Sequence, residues 1–224
     1  IFEYNGWSKP IYQTVSPTRG SVTTNERPTV ASSKLTLDRR DGDRLTVRYA
    51  LGNGRARIVV ARQGQPVTAV PVDGTTYTAA SSFGDPTSSH LGEGQYVVYN
   101  NSYRNESNGH THELRSLPRN TNYHFAIFEY DLDSNNQPVY LKTSFPVING
   151  TTFDEPTVQA KGLLIENITD KCASLKYTAG PGTGRIVIGR REGPVNVSPV
   201  DLVNYSESSS FGAGTAINGD NYVI

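Results

Sequence analysis

Apolar and polar residues alternate along much of the chain, and the alternation predicts strands. The stretch "KLTLDRRDGDRLTVRYALGNG" reads as two strands joined by an Asp-Gly turn, with Leu45, Val47 and Tyr49 on one face. "ARIVVAR" is the next strand, "QYVVY" another, and "YHFAIFEY" and "PVYLKTSFPV" close the pattern. On "YHFAIFEY", Tyr123, Phe125 and Ile127 face one side and Phe128 and Tyr130 the other. A sandwich strand normally keeps one face in water, so two apolar faces need a second cover. The stretch from 64 to 108, with Val97 and Tyr99, is expected to supply it as an added β-rich layer rather than a lid.

The pattern also repeats. "PTV" at 28 to 30 returns at 156 to 158, "RIVVAR" at 57 to 62 returns as "RIVIGR" at 185 to 190, and "PVD" at 71 to 73 returns at 199 to 201, each 128 residues later. "SSFG" keeps that register, while "GQYVV" and "GDNYVI" lie 126 apart, as do the opening "IFEY" and its copy at 127 to 130. Three units are therefore expected: 1 to 27 as the closing strands of one repeat, 28 to 152 as a complete repeat, and 156 to 224 as the first part of another. The chain also contains no Met, which fits a segment of a longer precursor.

Composition narrows the function classes. Thirteen Tyr, with abundant Val, Thr and Ser and with Gly and Pro for turns, favour an all-β fold. Formal net charge is zero with both signs interspersed, so nothing attracts a phosphate backbone or an anionic membrane surface. Apolar runs such as "RIVVA" are too short to span a bilayer, and one cysteine, Cys172, forms no internal disulfide. Nucleic acid and direct membrane insertion are not expected.

"LPRNTNYHFAI", Leu117 to Ile127, resembles the L-x-P-x-T-x-Y-x-F-x-V run of fibronectin type III domains, with Pro118 placed directly after Leu117. The resemblance implies tandem immunoglobulin-like β-sandwiches in which Tyr123 forms a tyrosine corner, its hydroxyl bonded to upstream backbone. Tyr49 and Tyr177 stand where the family usually carries a core Trp. The longer pattern, from "RIVVAR" through "PVDGTTYTA" and "SFG" to "YHFAIFEY", is similar to the enlarged fibronectin-type repeats of large bacterial secreted and surface proteins, including those exported by the type IX route.

Candidate chemistry is sparse. His110 and His112 of "HTH" share one strand face at a spacing that suits a metal, or are histidines of an exposed edge. "DLDSNN" starts like a calcium loop with Asp131 and Asp133, yet it lacks Gly at the sixth place and Glu at the twelfth, so a polar turn between the last two strands is the preferred reading. Arg57, Arg62, Arg185 and Arg190 recur between copies, either as a ligand-binding stripe or paired with acids on an exposed face. No nucleophile motif appears, so neither enzymatic activity nor a cofactor is expected. Sequons at Asn100, Asn105, Asn149, Asn167, Asn196 and Asn204 suit either a glycosylated surface or a Ser-, Thr- and Asn-rich composition.

The expected role is an extracellular or cell-surface structural or adhesive segment. Its expected partners are neighbouring copies, including by strand exchange in a filament. The rival is a carbohydrate- or protein-binding module using Trp7, Tyr103 and Tyr140 as an exposed platform, or a spacer for a catalytic domain elsewhere. Trp7 weighs against the platform because its counterpart is Asp133.

Overall fold

A computed structural model describes residues 1–6, 8–21, 27–101 and 110–224; Trp7, Tyr103 and Asn105 lie outside them. Among the described residues the secondary structure is all β, and no helix is long and apolar enough to cross a membrane. The chain begins with β1 (Tyr4–Asn5) and β2 (Ile11–Tyr12). One antiparallel sheet then joins β3 (Ser33–Arg40), β4 (Leu45–Ala50) and, beyond an intervening stretch, β8 (His110–Leu114). The Asp-Gly turn between β3 and β4 lies where the sequence places it, closed by the Asp41 amide on the Arg44 carbonyl at 3.0 Å.

The second sheet contains β5 (Ala56–Gln63), β6 (His90–Gly92), β7 (Gln95–Asn101), β9 (Asn122–Leu132), β10 (Pro138–Tyr140) and β11 (Val147–Thr151). Its order is β10-β9-β5-β7-β6, with β11 on the other half of β9. Packed face to face, the two sheets form a β-sandwich whose inner core includes Leu45, Val47, Tyr49, Val59, Leu117, Tyr123, Phe125 and Ile127. Alternation sends the next residues of the same strands the other way. Ile58, Val60, Ala126 and Phe128 form a second core on the outer face, with Tyr130 packed against it. Both faces of β9 are thus covered.

The cover differs in three ways from the expected layer. Residues 64 to 89 contain no strand and lie as irregular chain anchored by Val67 and Tyr77, because Pro, Gly and Thr interrupt any alternation there. A bulge between Val59 and Val60 splits the pair assigned to this layer: Val97 enters the outer core, whereas Tyr99 packs against the inner one. Tyr140, expected as an exposed platform residue, is fully buried, and with Phe145 it completes the outer core.

The remaining strands are β12 (Lys161–Glu166), β13 (Ser174–Thr178), β14 (Ile188–Arg190), β15 (Ala216–Ile217) and β16 (Asn221–Val223). They reproduce local geometry of the sandwich. Lys161 pairs with Thr178, Leu164 with Lys176 and Ile165 with Leu175, in the register of Ser33 with Ala50, Thr36 with Arg48 and Leu37 with Val47. Both hairpins carry an irregularity at the same place, where Lys34 and Gly162 adopt φ of 51° and 67°. In the same way Gly189 pairs with Tyr222 as Ala61 pairs with Tyr96. Tyr177, assigned to a core, is exposed where Tyr49 is buried, because among the described residues no strand pairs with β13 as β8 pairs with β4.

Two-sided burial predicts that Phe125→Ala and Phe128→Ala each cost about 3–5 kcal/mol in denaturant unfolding, although they face opposite ways. A Phe128→Ala cost of a few tenths of a kcal/mol, the size of a surface substitution, would contradict it.

Candidate functional site

Arg57 and Glu129 are direct partners across β5 and β9, and both side chains are fully buried at one end of the inner core. Arg57 Nε stands 3.4 Å from Glu129 Oε1. The same oxygen accepts from the Gly52 amide at 3.0 Å and from the Ser32 hydroxyl. Gly52 is required here, since a Cβ would fall 2.2 Å from the Val30 carbonyl oxygen. Arg57 thus pairs with an acid, but inside the core and not on the exposed face that was expected, so its charge is taken up internally and it is not available to a ligand-binding stripe.

The other arginines separate by role. Arg62 donates to the Pro66 carbonyl at 3.0 Å, and Arg190 donates to the Pro194 carbonyl at 3.2 Å. Each pins the loop that follows its strand, and neither makes an ion pair among the described residues. Arg185 is exposed, with no ion pair among the described residues. The four arginines do not converge on one surface.

His110 and His112 do share a strand face, but it is the inner one, and both are buried rather than at an exposed edge. They lie opposite Tyr49 and Val47 of β4, and the Tyr99 ring stands 4.8 Å from His110 and 5.0 Å from His112. Burial, reinforced by the neighbouring His110, pushes the His112 imidazole down to about 4. No group of three or more His, Cys, Asp or Glu among the described residues could hold a metal ion.

"DLDSNN" forms the β9–β10 turn. Asp133 Oδ1 accepts from the amides of Asn135 at 2.9 Å and Gln137 at 2.8 Å, while Asn136 takes a left-handed φ of 63°. Asp131 pairs with Val139 on the strands themselves.

The expected tyrosine corner is corrected. The Tyr123 hydroxyl is buried without a hydrogen-bond partner among the described residues, and burial raises its pKa. Its ring meets Phe83 edge-on at 4.9 Å. The Thr152 hydroxyl ties the corner instead, donating to the Pro118 carbonyl at 2.7 Å and accepting from the Thr121 amide at 3.0 Å.

Sequence reasoning missed the polar residues that fasten the irregular layer. Gln95 Oε1 accepts from the Thr68 and Ala69 amides at 2.8 and 2.9 Å. Asn100, a sequon position, donates to the Tyr77 carbonyl at 2.7 Å and accepts from the Tyr130 hydroxyl at 2.8 Å. Burial alone would raise the Asp73 carboxyl, but the Tyr140 amide, Arg27 and Lys142 together hold it below the usual carboxylate range. Glu129 was also missed, although its recurrence as Glu3 in "IFEY", beside the recurrence of Arg57 as Arg185, was the available signal.

A scan against protein-family models found no match, and a search of curated proteins found none either. Fold and side chains together define an all-β sandwich whose buried polar groups fasten its layers.

Two measurements follow from this geometry. Arg57→Met leaves the Glu129 carboxylate buried beside only Ser32 and Gly52, so it should cost about 3–5 kcal/mol in urea unfolding. Adding Glu129→Gln should recover part of that loss, because the amide oxygen still accepts and no charge is left. The His112 effect is one of pH. With its folded pKa lowered to about 4 from 6.5, the unfolded chain takes the proton first as pH falls. Stability from this group is complete above pH 6.5 and declines by about 3 kcal/mol down to pH 4. His112→Phe should remove that part of the decline in a stability-against-pH series.

Proposed function

We propose that the chain is a segment of tandem fibronectin type III-like repeats with a structural or adhesive role in an extracellular or cell-surface protein, without catalytic activity of its own. The observation that carries this reading is recurrence of geometry without recurrence of chemistry. The Tyr77 hydroxyl accepts from the Val72 amide at 3.0 Å, and the Tyr205 hydroxyl accepts from the Val200 amide at 2.9 Å. Phe83 meets Tyr96 edge-on at 4.9 Å, as Phe211 meets Tyr222 at 5.3 Å. What repeats is loop anchoring and packing, while the acidic turn "DLDSNNQP" between Tyr130 and Val139 is replaced by "NGWSKP" between Tyr4 and Ile11.

The antiparallel two-sheet architecture, with β5 between β7 and β9, is compatible with the family resemblance of "LPRNTNYHFAI". Burial of Tyr140 weakens the aromatic-platform reading, since it removes one of that platform's three rings. The neutral balance of charge supports partners that are neighbouring repeats, or a surface glycan or protein ligand, rather than nucleic acid or lipid.

A load-bearing repeat should resist extension as a unit. Pulling the full chain by its ends should give one dominant unfolding step that releases about 125 residues, roughly 40 nm of extended chain. Gradual extension without such a step would contradict the reading.

A further inference from the structure

β8 is both a sheet edge and the carrier of two ionisable rings into the inner core. Among the described residues it is paired along one side only, to β4, with Leu114 opposite Leu45, His112 opposite Val47 and His110 opposite Tyr49. On the other side the residue just after it is held by the irregular layer. The Arg115 amide donates to the Ser81 carbonyl at 2.9 Å, and the Phe83 amide donates to the Arg115 carbonyl at 3.4 Å. β4 keeps a partner without β8, because β3 pairs with its other edge. β5, by contrast, is flanked by β7 and β9. Detaching a five-residue strand held on one side costs less than unfolding the sandwich.

His112 makes that detachment depend on acidity. Its side chain is 8% exposed, and its Nε2 has no hydrogen-bond partner among the described residues. On its side of the sheet stand Leu45, Val47 and Tyr49 from β4, His110 from its own strand and, from β7, the Tyr99 ring at 5.0 Å. Tyr123 of β9 belongs to the same core. The buried charges nearby are Arg57 and Glu129, two residues along β5 and β9 from the Val59–Ile127 pair, and each is the other's ion-pair partner. Arg48 and Glu113 alternate onto the outer face, where Arg44 and Arg115 pair with Glu113. No carboxylate among the described residues pairs with His112. Burial therefore favours the neutral ring and holds its pKa at about 4 against an ordinary 6.5. As pH falls through that window, any state that gives the ring to water takes the proton first. All such states gain equally, so the one that is cheapest to reach becomes the most populated.

We propose that β8 is an acid-released strand: below neutral pH its detachment from β4 is the first opening of the sandwich, with the β3–β4 hairpin and the sheet of β5, β7 and β9 still in place. Detachment uncovers the β4 edge together with Leu45, Val47 and Tyr49 on its inner face. An apolar strand edge of this kind offers backbone pairing, and here it is offered in acid and withdrawn at neutral pH. Every group involved lies within the 28 to 152 unit.

Native-state hydrogen exchange of the full chain, corrected for the intrinsic pH dependence of exchange, tests the switch. Between pH 7 and pH 4.5 the open population reported by amides of the β4–β8 ladder should rise roughly fifty-fold, given a folded pKa of about 4 against 6.5. At pH 4.5 that population should exceed the one reported by the β5–β9 ladder by about tenfold or more, and it should depend little on added denaturant, as a local opening does. His112→Phe, which keeps a ring against Tyr99, should remove most of the acid response at β8. Uptake of a proton by His112, followed by NMR, while the β4–β8 amides keep their protection would overturn the proposal. So would β4–β8 and β5–β9 amides that open with one free energy at pH 4.5, or an acid response at β8 that survives in a folded His112→Phe chain. The first two outcomes are read on the unsubstituted chain, so they decide the matter whether or not the variant folds.

Discussion

A strand with no face in water is the constraint on which this structure depends. β9 and its neighbour β5 send alternate side chains into two cores, so their sheet is the middle of three layers rather than one wall of two. The third layer cannot be a sheet, because residues 64 to 89 lack alternation, and its backbone groups need partners from elsewhere. Side chains provide them. Gln95, Asn100 and Asp73 each bond to backbone across the layer boundary, and the Tyr77 hydroxyl closes a turn within it. An irregular layer fastened in this way covers apolar surface as a strand would, while leaving its outer side free to vary.

The polar groups buried between the two sheets follow the same logic at the sandwich end. Arg57 and Glu129 are costly to desolvate, and a buried pair of this kind is weak evidence for stability in itself. Its geometry instead selects a register: a slip of β9 by one residue along β5 would turn Glu129 into the outer apolar core and leave Arg57 unmatched. The pair therefore specifies which of two apolar faces goes where, which hydrophobic pattern alone leaves ambiguous on a strand apolar on both sides.

Much of the fold was legible in the sequence because the period of two is a local property. The β3–β4 hairpin with its Asp-Gly turn, the β5 and β7 strands and the two faces of β9 were all readable from alternation. What escaped depended on distant partners. Arg57 reads as a surface residue until Glu129, seventy-odd positions later in the chain, lies opposite it. Tyr140 reads as exposed because "PVYLKT" is mixed, and only Asp73 and Tyr77 from the irregular layer enclose it. His110 and His112 sit on a strand whose inward face is set by pairing with β4, which no local pattern reveals. The tyrosine corner failed for a related reason: Thr152, just beyond the end of β11, already occupies the Pro118 carbonyl. A one-residue bulge moved Tyr99 from one core to the other.

The central claim, that residues 64 to 91 form a structural layer completing β9 rather than a detachable lid, is tested most directly by native-state hydrogen exchange. The amides of Thr68, Ala69 and Ala80, all bonded to β7, should open together with those of Val60 and Phe128 and with the same free energy. Rapid exchange at 68 to 80 while β5 and β9 stay protected would show a layer that opens by itself, and would contradict the account.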